Sequence, residues 1–160
     1  EIEGMSIGDS LLNFISESKI NNLKKSYYPN SKKYVRYYSV KKSDIYDDID
    51  VYVIDSDKKY IIHSFSGIMN HYYDIENCYP KKEKIVKEIQ TELGIKPFSY
   101  IADYPNDTTK SDVSDFDFTN GAIRVFCTDY SEKTEDEGYG DFLSVSVSRT
   151  EFTDWLDTAY

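Results

Sequence analysis

The sequence predicts an α+β domain, in which helices pack on one face of an antiparallel sheet of about five to seven strands. Apolar and polar side chains alternate in several short runs, which is typical of strands with one buried face. Polar turns separate these runs and favour antiparallel pairing. Other segments carry apolar residues at helical spacing, before, between and after the strand runs.

The central strand pair is predicted over residues 122–128 and 143–148. In the first run, Ile123, Val125 and Cys127 share one face, and in the second Leu143 and Val145 do the same. Successive side chains of a strand point to opposite faces, so each run has an apolar side that faces a core. We therefore expect the rest of the chain to cover or extend this pair.

Further strands follow from aromatic and β-branched residues, which favour extended structure. They are predicted over residues 34–40, 49–54, 59–65, 98–104 and 113–118. Residues 55–58 form a hairpin turn between two of them, and Gly67 ends this half of the sheet. The dipeptide Asn120-Gly121 predicts a tight hairpin turn before the central pair.

Three segments are predicted to be helical. Ser6 caps a helix whose stripe includes Leu11 and Ile15, and Ser16 or Ser18 caps a short turn after it. Residues 81–93 form the clearest helix, which Gly94 ends. Thr150 caps a last short helix, anchored by three apolar side chains: Phe152, Trp155 and Leu156.

Length and composition predict one folded domain over residues 1–160. A chain of this length buries a core without additional cross-links. Only 39% of the residues are apolar, but 16 Tyr and 8 Phe supply large buried areas. We therefore expect an aromatic-rich core.

The net charge of −10 limits the classes of partner that the protein can bind. The chain has 19 Lys and Arg against 29 Asp and Glu. Nucleic acids and anionic lipids are bound mainly through clustered Lys and Arg, so this balance disfavours both. No run approaches the roughly 18 apolar residues of a membrane span.

Cys78 and Cys127 are the two cysteines. Either they form a disulfide or they are two buried free thiols. The chain begins without an initiator Met, and we expect a mature chain whose signal peptide has been removed, or a trimmed domain. Together these features favour a secreted or periplasmic protein, with a cytoplasmic one as the alternative.

No catalytic set emerges from the sequence. His63 lies on an alternating strand face, and neither it nor His71 has Cys or His neighbours at zinc-ligand spacing. Cys78 with a histidine would be a nucleophile–base pair, but a structural cysteine is the simpler interpretation. We therefore predict no catalytic residues, no cofactor, no metal site and no enzymatic activity.

Two acidic clusters leave one alternative open. The first holds Asp112, Asp115 and Asp117, and the second holds Asp44, Asp47, Asp48 and Asp50. Neither matches the ligand spacing of an EF-hand loop. Solvated charge on loops is the ordinary explanation, and a weak calcium site is the alternative.

Tyrosines are the candidate binding residues. Tyr27 with Tyr28, Tyr37 with Tyr38 and Tyr72 with Tyr73 are adjacent pairs, and neighbouring strand residues face opposite ways. Within a strand, at least one Tyr of such a pair therefore points away from the core. Tyr52, in the strand predicted over residues 49–54, is also expected to point away from the core. Exposed Tyr is typical of protein interfaces. The alternative is that Tyr replaces other apolar residues in an AT-rich coding sequence.

Three stretches carry a resemblance: residues 2–12 (IEGMSIGDSLL), 126–130 (FCTDY) and 151–156 (EFTDWL). They resemble a family of small uncharacterised proteins of AT-rich marine bacteria. The Gly4-Met5-Ser6 helix opening is also similar to outer-membrane assembly lipoproteins of the SmpA type and to β-lactamase-inhibitor-like domains. This second resemblance implies an envelope or secreted binding domain and transfers no catalytic residue.

The sequence thus favours an exported, non-enzymatic binding domain that contacts another protein or an envelope component through its Tyr-rich sheet surface. Two alternatives stay open. One is a cytoplasmic acidic inhibitor or immunity-type protein that shields a basic target. The other is a small-ligand or carbohydrate binder, or an unrecognised hydrolase, with Tyr and Asp lining a deep cleft.

Overall fold

A computed structural model describes residues 1–71, 74–105 and 107–159. Within them, eight strands form one antiparallel sheet in the order β1-β2-β3-β4-β8-β7-β6-β5, accompanied by four α-helices. The strands are β1 (Lys25–Tyr28), β2 (Ser31–Tyr37), β3 (Asp48–Ile54), β4 (Ile62–Asn70), β5 (Phe98–Asp103), β6 (Lys110–Phe118), β7 (Gly121–Asp129) and β8 (Phe142–Arg149). The helices are α1 (Glu17–Asn21), α2 (Cys78–Leu93), α3 (Glu132–Asp136) and α4 (Thr150–Leu156). The predicted α+β class with an antiparallel sheet is confirmed.

The described chain forms two compact units. The first contains Glu1–Gly67, Phe118–Ala122 and Ser146–Tyr160, and the second contains Ile68–Asp117 and Ile123–Val145. Each unit is therefore assembled from segments that are far apart in sequence.

An aromatic cluster forms part of the core of the first unit. Tyr34 on β2 and Tyr52 on β3 pack against Phe152 of α4, each with ring centroids 5.0 Å apart. Trp155, one helical turn along, lies 4.7 Å from the Tyr34 ring and donates a hydrogen bond of 3.1 Å to Ser31. The predicted anchoring of the last helix is thus confirmed, although Arg149 rather than Thr150 is the residue at its N-cap.

The helix predicted to start at Ser6 is wrong. A single 3₁₀ turn over Leu11–Asn13 replaces it, and α1 follows with Ser16 as its N-cap. Gly8 has a φ of +93°, which interrupts a right-handed helix. The amides of Gly8 and Leu11 donate instead to the carbonyls of Ile62 and Tyr60, so pairing with a distant segment replaces helical hydrogen bonds.

The sheet has one strand more than the predicted maximum of seven. The additional strand is β1, in a stretch whose lysines and Pro29-Asn30 break indicate a turn rather than a strand. It pairs with β2 with Lys25 opposite Tyr37, Ser26 opposite Arg36 and Tyr27 opposite Val35. Pairing with a stronger neighbour therefore overrides weak local propensity.

Two glycines have roles that differ from the predicted ones. Gly67 does not end the sheet half, because β4 continues through it to Asn70. A Cβ at position 67 would collide with the Tyr46 ring. Gly121 begins β7 and is not part of the turn, and a Cβ there would collide with the Ser148 carbonyl oxygen. Close approach, rather than turn geometry, accounts for both.

In the second unit, α2 carries both a covalent and an ionic attachment. Cys78 at its first turn is joined to Cys127 of β7 by a disulfide with a Cα–Cα distance of 6.1 Å. Lys82, one turn later, is only 1% exposed, and its Nζ lies 2.7 Å from Oδ1 of Asp112 on β6. Gly94 caps the helix in the left-handed conformation, as predicted.

None of the helices formed by the described residues is long and apolar enough to cross a membrane.

We predict that the double substitution Cys78→Ala and Cys127→Ala lowers the free energy of unfolding by up to about 4 kcal/mol, since the bridge closes a loop with a sequence separation of 49. Urea titration measures the change. Unfolding the wild-type protein with reductant is the control, because reduction alone removes the same constraint. A loss below about 1 kcal/mol in both experiments contradicts a stabilising bridge.

Candidate binding surface

The positive charges of this acidic protein are concentrated in one segment. No Asp or Glu occurs between Glu17 and Asp44, whereas eight of the 19 Lys and Arg do. These cations are Lys19, Lys24, Lys25, Lys32, Lys33, Arg36, Lys41 and Lys42. The rest of the chain therefore holds 11 cations against 29 acidic residues. The segment includes β1 and β2, and β1 is the terminal strand of the sheet.

The outer edge of β1 presents free backbone groups. The Tyr38 amide donates to the Lys24 carbonyl, and this bond faces β2. Orientation alternates along the regular part of an antiparallel ladder, so the backbone groups of Ser26 also face β2, whereas the N–H and C=O of Lys25 and the N–H of Tyr27 point away from it. The register shifts after Tyr27, and those three groups are available to another extended chain.

Aromatic rings and cations are interleaved on this edge. The Lys24 ammonium lies 5.2 Å and the Arg36 guanidinium 4.4 Å from the centroid of the Tyr38 ring, and the Lys25 ammonium lies 5.9 Å from that of Tyr27. The Tyr38 hydroxyl lies 2.7 Å from the Ser26 hydroxyl. We refer to Lys24, Lys25, Tyr27, Arg36 and Tyr38 as the β1 surface.

Only part of this charge is neutralised. Arg36 Nε donates a 3.0 Å hydrogen bond to Asp50, whose second carboxylate oxygen accepts from the Ser39 amide at 3.0 Å. Asp50 is 1% exposed, so this pair positions the guanidinium from within the sheet. By contrast, Lys24 and Lys25 are exposed and form no ion pair with any acidic residue that the structure describes.

The tyrosines predicted as binding residues differ in position. Tyr37 and Tyr52 are 6% and 8% exposed, so their rings present little area to a partner. Tyr38 is half-buried and belongs to the β1 surface. Tyr72 and Tyr73 lie outside the described residues.

Sequence reasoning noted the pair Tyr27 and Tyr28 but did not select Tyr27, Lys24 or Lys25 as binding residues, because β1 itself was not predicted. The signal that would have identified them is the absence of acidic residues from 18 to 43 in a chain of net charge −10.

The histidines that suggested chemistry are buried, and the two cysteines are bonded to each other. His63 is 6% exposed and stacks edge-on to Tyr34 with centroids 5.2 Å apart, and His71 is also buried. Cys78 is bonded to Cys127. A disulfide sulfur is not a nucleophilic thiolate, so the arrangement offers no Cys–His pair.

Several acidic side chains of the two clusters are engaged in ion pairs. Asp115 accepts two hydrogen bonds from Arg124, at 2.7 and 2.9 Å, while Asp112 pairs with Lys82 and Asp50 with Arg36. Among the described residues, no group of three or more His, Cys, Asp or Glu side chains is placed to hold a metal ion.

An open cleft of about 420 Å³ lies in the first unit. Its described lining residues are Ile7, Thr119, Asn120, Arg149, Thr150 and Glu151. This lining contains a single carboxylate and no aromatic ring, so the cleft does not match the predicted Tyr- and Asp-lined pocket.

Comparison with models of known protein families, with curated proteins and with solved structures found no match in any of the three. The resemblance to proteins of marine bacteria and to envelope domains therefore stays a prediction.

We predict that Tyr34→Phe stabilises the protein by about 1 kcal/mol. The Tyr34 hydroxyl is fully buried without a hydrogen-bond partner among the described residues, and an unsatisfied buried hydroxyl costs about 1–3 kcal/mol. Tyr52→Phe is the matched control, because it removes a hydroxyl that is hydrogen-bonded to Tyr28 and should destabilise the fold by a similar amount. Urea unfolding of both variants measures the difference. Equal destabilisation by both substitutions contradicts the prediction.

We also predict that His63 makes the fold less stable in mild acid. Burial lowers the pKa of His63 below its ordinary value of 6.5, and the nearby charge of Arg149 lowers it further. The unfolded chain therefore binds the proton first, so the stability contributed by neutral His63 is present above about pH 6.5 and is lost as pH falls below it.

The test compares the wild-type protein with His63→Gln by urea unfolding at pH 7.5 and pH 5.5. Part of the wild-type decrease should be missing in the variant, since glutamine does not take up a proton in this pH range. His71 is unchanged in both proteins, so its contribution cancels. An identical decrease in both proteins would rule out this role for His63.

Proposed function

We propose that this protein is an exported, non-enzymatic binding domain that recognises another protein through the β1 surface. The observation that carries the proposal is the position of Lys24 and Lys25 on the edge strand. They are exposed, unneutralised by described acidic residues, and part of a chain that is acidic almost everywhere else.

The composition of the β1 surface supports recognition of a protein. Tyr and Arg are enriched in protein interfaces and among the residues that dominate binding energy. Arg36 is held by the buried Asp50, and the Arg36 guanidinium and the Lys24 ammonium both lie over the Tyr38 ring. Positioned in this way, the side chains lose less conformational freedom on binding than unrestrained ones would.

A binding role is supported over a catalytic one by the placement of the reactive side chains. Cys78 is engaged in a disulfide, and His63 is buried against Tyr34. Neither is available to a substrate in this arrangement. The disulfide also supports export, because such bonds persist mainly in oxidising compartments.

We predict that a photo-crosslinking amino acid in place of Lys25 captures a protein partner in cells that naturally produce the chain. The matched control carries the same amino acid in place of Lys84, an exposed lysine on α2. A discrete adduct should form from position 25 and not from position 84. Its yield should fall when unlabelled wild-type protein is added and should stay unchanged when the added protein carries Lys24→Glu and Lys25→Glu.

Adducts of equal yield from both positions, or none from position 25, would contradict recognition through the β1 surface. Mass spectrometry of the protein from its natural source tests export separately. Free thiols at Cys78 and Cys127 with an unprocessed N-terminus would contradict that part of the proposal.

A further inference from the structure

We infer that the partner supplies an extended acidic segment, which pairs with the outer edge of β1 as an additional strand. This inference rests on the proposed function and names the chemistry of the partner at the same surface. It is carried by two independent properties of β1: the direction of its backbone groups and the charge of its side chains.

The backbone of β1 is suited to strand addition. Lys25 and Tyr27 direct two N–H groups and the Lys25 C=O group outward, and the next strand position is unfilled within the described structure. Peptides that extend a sheet gain affinity from main-chain hydrogen bonds of this kind and specificity from alternate side chains. An extended partner therefore satisfies groups that a folded surface patch would leave unpaired.

The side chains of β1 select the charge of that segment. Lys24 and Lys25 point to opposite faces of the sheet, so carboxylates on either face of an added strand would meet a cation. Tyr27 and Tyr38 provide ring surface for the uncharged residues between those carboxylates. The matching sequence alternates acidic residues with small or β-branched ones.

The same charges disfavour a second copy of this chain. Parallel, in-register self-pairing of β1 would place Lys24 and Lys25 of one copy opposite the same residues of the other, and opposed like charges destabilise a sheet. Edge lysines are a common means by which proteins avoid such self-association.

Nucleic acid fits this surface less well than an acidic peptide. Phosphate oxygens are hydrogen-bond acceptors, so they cannot bond to an outward-facing carbonyl oxygen of β1. The net charge of −10 also repels a long polyanion. A short acidic strand instead combines hydrogen bonding to β1 with local charge neutralisation.

The probe for the test is an acetylated, amidated octapeptide of alternating glutamate and threonine, titrated into the full chain at low ionic strength. We expect saturable binding, with the largest NMR shifts at the amides of Lys25 and Tyr27. An octapeptide of alternating lysine and threonine and an eight-nucleotide oligothymidine are the comparison ligands. Both should bind at least tenfold more weakly.

Substitutions in the protein test the side-chain charge of β1 and its outward backbone groups separately. Lys24→Glu with Lys25→Glu should weaken peptide binding by about tenfold or more, because two attractive charges become repulsive. Lys81→Glu with Lys87→Glu on α2 makes the same change of net charge at exposed positions and should leave the affinity within about twofold. Tyr27→Pro removes an outward N–H and should weaken binding more than Tyr27→Ala, which keeps it.

The inference is overturned by equal binding of the acidic and basic peptides, by tighter binding of the oligothymidine, or by equal loss from both pairs of lysine substitutions. If the peptide does not bind but position 25 still yields a partner adduct, the inference of an acidic strand is overturned. The proposed function then stands. Failure of both experiments overturns both.

Discussion

The packing of α4 on β2 and β3 is the interaction on which the first unit depends. Helices of seven residues and isolated strands of four residues are not stable alone in water. Phe152 and Trp155 bury their rings against Tyr34 and Tyr52, and Trp155 also contacts Tyr28 at the end of β1. The geometry of the edge strand is therefore set by residues more than a hundred positions later in the chain.

The lysines of β1 affect two kinds of association, one with a second copy of the chain and one with an acidic partner. A net charge of −10 makes copies of the protein repel one another, and lysines on the edge disfavour strand pairing between identical edges. Asp50 neutralises Arg36 from inside the sheet but does not reach the lysines. The cations that disfavour association with a second copy are thus the ones that an acidic partner would contact.

The second unit is held by different means. Its main helix, α2, is joined to β7 through Cys78 and to β6 through Lys82, whose buried ammonium is paired with Asp112. Breaking a buried ion pair by removing one partner leaves an uncompensated charge and is strongly destabilising. Covalent and ionic attachment on one side of the helix compensates for the modest apolar area that α2 buries with Val86.

Local patterns determined the elements whose side-chain periodicity is strong. Spacing and turn residues predict the helix ending at Gly94, the β3–β4 hairpin, β5 and the strands around Cys127. They also predict the anchoring face of Phe152 and Trp155. Tertiary structure alone decided the rest. Residues 8–11 pair with the start of β4 instead of forming a helix. The β1 segment is extended because it pairs with β2 through backbone hydrogen bonds. The physical reason is that such hydrogen bonds and ring contacts join distant segments, so their free energy is absent from any local window of sequence. For the same reason Tyr37 and Tyr52 proved buried, while the exposed lysines beside Tyr27 became the candidate binding surface.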